Sequence, residues 1–97
     1  MIAAPYATSP LFDEQTLPDS LRNEHRTKEG TWGLLRVLDG EVRLIFQDPP
    51  SERLVVPGSP AIIPPQATHH VVPLGKMTMR VEFYRDPPSD VESAANG

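Results

Sequence analysis

Ninety-seven residues, 38% of them hydrophobic, suffice for one domain with a single modest core. Nine basic and thirteen acidic side chains give a net charge of -4, and the scattered basic residues exclude the concentrated positive surface that a nucleic-acid backbone demands. The absence of cysteine excludes disulfides, thiolate zinc sites and cysteine nucleophiles together, so any metal must be held by nitrogen and oxygen.

No apolar run is long enough to span a bilayer, and the start Met1-Ile2-Ala3-Ala4-Pro5-Tyr6 has neither the basic nor the apolar region of a secretion signal. The expectation is a cytoplasmic protein without a membrane partner. Twelve prolines and six glycines interrupt the chain every few residues, which suits short strands and disfavours long helices. Residues 1–16 carry no clear period and read as an N-terminal arm, loose or laid over a neighbouring subunit. Within them and just beyond, Leu11, Phe12, Leu17 and Leu21 are irregularly placed, while Pro18-Asp19-Ser20 can open one helical turn. The polar run Arg22 to Gly30 reads as a strand edge followed by a loop.

Thr31 to Leu38 and Glu41 to Phe46 are strand-like, and Asp39-Gly40 between them predicts a hairpin. Val42, Leu44 and Phe46 alternate with polar neighbours, so that strand has one buried face. Gln47 to Glu52 reads as a loop; Arg53 to Val56, Ala61 to Ile63, His69 to Val72 and Met77 to Tyr84 follow as strands separated by proline and glycine turns. Residues 17–86 then form an all-β domain, most simply a small double-sheet jelly-roll β-barrel, and residues 87–97 read as a disordered tail.

Gly58, Pro64, Gln66 and His69 are similar in spacing to the second cupin motif, with Gln66 where that motif has glycine and Pro73 where it has asparagine. Leu17-Pro18, His25 with Lys28, Gly30 with Trp32-Gly33, Val37 with Gly40, Pro65-Gln66 with His69, and Glu82-Phe83-Tyr84 together resemble the TehB/YeaR-like cupin family over most of residues 17–84. That resemblance implies a single-domain cupin with His25 and His69 at recurrent histidine positions and a link to tolerance of tellurite or related oxyanions. The methyl transfer of TehB proteins belongs to a separate C-terminal domain, for which this chain has no room, so it is not expected here.

His25 and His69 are the candidate ligands for a divalent ion, zinc, iron or nickel, because neutral imidazole suits all three. The alternative for each is a structural hydrogen bond to backbone at a strand end. Adjacent strand residues face opposite ways, so only one of His69 and His70 can look inward, and the motif spacing selects His69. Glu82 is the candidate carboxylate ligand. It shares a face with Thr78, Arg80 and Tyr84, opposite Met77, Met79, Val81 and Phe83. If the apolar set fills the barrel, Glu82 is a solvated charge paired with Arg80; if that set packs on a second subunit in a homodimer, Glu82 points inward. Lys28 is a candidate contact for a small-molecule or oxyanion ligand, and Trp32 reads as core. Two further functions stay open: a non-haem metal enzyme, an oxygenase or isomerase on a small anion, and a metal-free dimeric binding module.

Overall fold

In the computed structural model, which describes residues 4–88, the chain runs through β1 (Ala7–Thr8), β2 (Phe12–Asp13), α1 (Asp19–Arg22), β3 (His25–Arg26) and β4 (Trp32–Asp39). It continues through β5 (Val42–Gln47), β6 (Pro50–Val55), β7 (Ala61–Ile63), β8 (Thr68–Pro73) and β9 (Thr78–Tyr84). Two sheets result. One has the order β1-β9-β4-β7 with β2 also on β9, and the other has the order β3-β8-β5-β6. The expected all-β class is therefore present. Every strand pairing stays within one sheet or the other, so hydrogen bonding among the described residues does not close them into a barrel. No described helix is long and apolar enough to cross a membrane.

Alternation decides which side chains face the gap between the sheets. Leu35 and Val37 of β4, Met79 and Val81 of β9, and Ala61 and Ile63 of β7 come from one sheet; Val42 and Leu44 of β5, Val55 of β6 and Val71 of β8 meet them from the other. All ten are buried, and full burial of an aliphatic side chain of Val or Leu size contributes about 1.5–3 kcal/mol. This shared core joins the sheets.

Three expectations change. Asp39-Gly40 turns the chain, but β4 and β5 are not partners: β4 pairs with β7 and β9, and β5 pairs with β6 and β8. β4 buries Leu34 and Leu35 on opposite faces, which a central strand with two neighbours satisfies and a local hairpin does not. The irregularity between Val37 and Asp39 bends the strand end as the chain crosses to the other sheet. The run read as a loop over residues 47–52 is in part strand, because β6 begins at Pro50, opposite Gln47. Its polar, exposed residues suit an edge strand, where an initial proline is also tolerated. The N-terminal arm is part of the sheet: Ala7 pairs with Phe83 and Phe12 with Met79, with Tyr6 N–H and Ser9 N–H donating to Phe83 and Val81 carbonyls at 2.8 and 2.9 Å. Unpaired backbone along β9 recruits it. Most of the expected tail, residues 89–97, lies outside the described residues.

Gly40 sits at φ +74 with Lys76 O only 2.1 Å from where a Cβ would stand, so the crossover depends on its missing side chain. Gly40→Ala should destabilise the domain by about 2–4 kcal/mol in urea unfolding, whereas Gly75→Ala, at φ +94 in open space, should cost only about 1–2 kcal/mol.

Candidate functional site

The short β3 lies antiparallel on β8 with His25 directly opposite His69 and Arg26 opposite Thr68. This places the two imidazoles edge to face, with ring centres 5.4 Å apart and planes 86° apart. On the other side of β8, Phe46 is the register partner of His69, its ring centre 6.1 Å away. His69 is 2% exposed.

The turn before β8 orients the His69 ring. Gln66, standing where the cupin motif has glycine, takes the left-handed φ of 61° that such a glycine would supply. Its N–H donates to Thr27 O at 2.9 Å, tying the turn to the chain that leaves β3. Ala67 O then accepts a hydrogen bond from His69 Nδ1 at 2.8 Å. A carbonyl only accepts, so Nδ1 carries the proton and the lone pair of neutral His69 lies on Nε2. Burial lowers the His69 pKa from the ordinary 6.5, outweighing the Ala67 bond that would raise it; nearby His25 and His70 add to the lowering. The ring is thereby kept in the neutral form that metals and hydrogen-bond donors use. Fixing a ligand imidazole through a carbonyl on its other nitrogen is the usual support of a metal-binding histidine.

Both rings line a cavity of about 450 Å³ between the sheets. Gly33, Leu35, Ile63, Val81 and Phe83 contribute from one sheet and Val71 from the other, with Phe12 and Leu21 completing the apolar wall. Lys28 is exposed and lines this cavity. Thr27, which sequence reasoning did not single out, is 7% exposed, and its Oγ1 has no hydrogen-bond partner. Its position two residues after His25 was the available hint, since residues i and i+2 of an extended chain share a face. Tyr6 and Thr31 also line the cavity, their hydroxyls 3.0 Å apart, and Arg85 stacks 4.4 Å from the Tyr6 ring centre.

Glu82 is not brought to the histidines. It stands on the outer face of its sheet, in register with Leu34, while Val81 and Phe83 beside it line the cavity. It is nonetheless buried and far from solvated: Arg36 Nε and Arg80 Nη2 approach Oε2 at 3.1 and 2.9 Å, and Tyr84 donates to Oε1 at 3.0 Å. Burial alone would raise the Glu82 pKa, but hydrogen bonds from Arg36, Arg80 and Tyr84 outweigh it and hold the carboxyl below its ordinary value. Burial and the Glu82 carboxylate raise the Tyr84 phenol, keeping it a donor. His70 faces away from the cavity toward Arg22, Asn23, Glu24 and Gln47, and Trp32 lies half-buried on the outer face of β4. Among the described residues, no group of three or more His, Cys, Asp and Glu converges as a metal-ligand cluster; the cavity offers the His25 and His69 imidazoles.

A lowered carboxyl pKa stabilises the fold above the ordinary value of 4.5 and loses that contribution as pH falls through the folded-state value. Glu82→Gln should therefore lose about 1–3 kcal/mol at neutral pH and show a shallower stability loss below 4.5 than the parent, read from urea midpoints across an acid pH series.

The profile of the TehB-like domain matches residues 7–81 of this chain. The probable S-adenosyl-L-methionine-dependent methyltransferase TehB of Haemophilus influenzae (strain 10810) is 34% identical over a 71-residue match that covers 68% of this chain and 25% of that protein. The chain thus spans about a quarter of the length of the curated relatives it matches. The crystal structure of TehB from Haemophilus influenzae superposes with a TM-score of 0.73 at 27% identity, over 95% of this chain and 39% of that one. A protein from E. coli (strain K12) shares the fold, with a TM-score of 0.74 at 21% identity over 86% of this chain and 95% of its own. The chain belongs to the TehB-like domain family.

Proposed function

We propose that this domain is a small cupin-type binding module whose His25 and His69 imidazoles together hold one divalent ion, zinc, iron or nickel, at the wall of the cavity. The observation that carries this reading is the register pair itself, which sets two imidazoles 5.4 Å apart between ring centres. Two rings that each place a nitrogen about 2.1 Å from a common ion have their centres roughly 5 Å apart. The Nδ1 bond of His69 to Ala67 supports the same reading, because it leaves Nε2 free toward a ligand. When bound, such an ion supplies a Lewis acid that attracts an anionic group.

The strand order supports the jelly-roll part of the proposal. The chain passes repeatedly between sheets, from β3 to β4, β4 to β5, β6 to β7, β7 to β8 and β8 to β9, with β5 and β6 as its one local hairpin among these. The setting we propose is tolerance of tellurite or related oxyanions, supported by kinship with TehB of Haemophilus influenzae. Methyl transfer is not part of the proposal, since the matched region is only 25% of the curated relative.

A metal-free binding module is the second reading. It is favoured by the donor set, in which the imidazole pair supplies two of the three or four protein ligands usual for zinc. Metal analysis by plasma mass spectrometry separates the two. The parent protein should retain about one divalent ion per chain after dialysis, and His25→Ala and His69→Ala should each lose most of it, with Glu82→Gln unaffected. Unchanged content in both histidine variants would remove the pair from any metal site, and a metal-free parent that resists loading with zinc would favour the second reading.

A further inference from the structure

We infer that the cavity takes a small neutral molecule with an apolar body and one hydroxyl group, a phenol or an alcohol, whose O–H donates to His69 Nε2. The inference deepens the reading of the cavity as a ligand site. It concerns the metal-free form, since an ion and a hydroxyl would compete for the same nitrogen.

The head group follows from His69. With Nδ1 donating to Ala67 O at 2.8 Å, Nε2 of the neutral ring offers a lone pair and no proton. Among the described residues, the unpartnered side-chain polar atoms that are sealed from solvent are Thr27 Oγ1 and His70 Nδ1. His69 Nε2 is not one of the sealed atoms. Because His69 is only 2% exposed as a residue and lines the cavity, the cavity is where this nitrogen is reached. Nearby hydroxyls are already committed: Tyr6 and Thr31 bond each other at 3.0 Å, and Ser9 Oγ donates to Pro10 O at 2.8 Å while accepting Val81 N–H at 2.9 Å. A lone pair in such a lining is satisfied by a donor on the ligand.

The ligand's charge follows from what surrounds that nitrogen. No Asp or Glu lines the cavity, so a buried ammonium would go uncompensated, and His69 has no proton to give a carboxylate. Arg26 and Lys28 also line the cavity, but both are exposed and keep their charges in water. A neutral O–H satisfies Nε2 without bringing a charge.

The apolar body follows from the rest of the lining. Phe12, Leu21, Leu35, Val71, Val81 and Phe83 surround most of a space of about 450 Å³, within the range of small-molecule sites. Gly33, inside β4, widens that space. Its φ is not positive, and a Cβ on it would meet the Ile63 and Val81 side chains at 3.4 and 3.6 Å, ordinary contacts. Neither backbone angle nor packing requires glycine there, and close approach of a ligand is one established use of a glycine in a strand interior.

Titration calorimetry on the full, chelator-treated chain with p-cresol, toluene, benzoate and benzylamine tests this. p-Cresol should bind about ten-fold more tightly than each of the others. The nitrogen NMR signal of His69 Nε2 should shift with p-cresol and stay in place with toluene. His69→Phe should lower p-cresol affinity to that of toluene, and Gly33→Ala should weaken both about five-fold, with circular dichroism verifying that the variants are folded. The inference is overturned by toluene, benzoate or benzylamine binding as tightly as p-cresol, by an Nε2 signal that p-cresol does not move, by p-cresol affinity unchanged in a folded variant, or by no binding of p-cresol. p-Cresol binding by a protein that retains no zinc upholds this inference while the metal reading fails; zinc retention by a protein that binds no p-cresol does the reverse.

Discussion

The antiparallel register of β8 between β5 and β3 governs the interior of this domain. Phe46 against His69 and Leu44 against Val71 on one side, and His25 against His69 on the other, commit residues 69 and 71 to the gap between the sheets. A slip of one residue would exchange His69 for His70 and Val71 for Val72, like for like, so side-chain type within β8 does not select the register. The pairing of β8 with β5 and β3, and the Gln66 turn tied to Thr27 ahead of it, hold His69 and Val71 on the buried side.

The turn ahead of β8 shows how a backbone hydrogen bond holds a non-glycine residue in the left-handed region. Gln66 adopts a positive φ that costs about 1–2 kcal/mol for a residue with a Cβ, and its N–H bond to Thr27 O offsets part of that cost. The same bond holds the β3 strand end against the β8 turn. One backbone contact therefore contributes to the His69 orientation, the His25 position and the placement of the Thr27 hydroxyl.

On the outer face of the other sheet, Glu82 gathers Arg36, Arg80 and Tyr84 around a single carboxylate. Taking one partner away leaves charge in a partly dry setting, which is more damaging than the pair is stabilising. Because β9 alternates, this network and the cavity lie on opposite faces of the same strand, separated only by the backbone of residues 81–83. The two features are mechanically linked through β9 but chemically independent.

What could be read in the sequence was what depends on local period and composition. The strand-forming runs, the turns at Gly40 and Pro64-Pro65, the helical turn after Pro18 and the single domain all follow from residue type and spacing. The candidate histidines were visible through family resemblance, and alternation stated that only one of His69 and His70 could look inward. Tertiary structure decided the partners. Asp39-Gly40 specifies a turn, but whether its flanking strands pair depends on β7 and β9 far along the chain. Two-residue strands such as β1 and β2 are too short to show a period, so only the free edge of β9 defines them. Glu82 was ambiguous because alternation separates the faces of a strand without saying which faces the core, and the packing of Met79 and Val81 against the opposite sheet supplied that answer. Thr27 resembled any polar loop residue until folding buried its hydroxyl, since burial is a property of the packed molecule and leaves no mark on residue order.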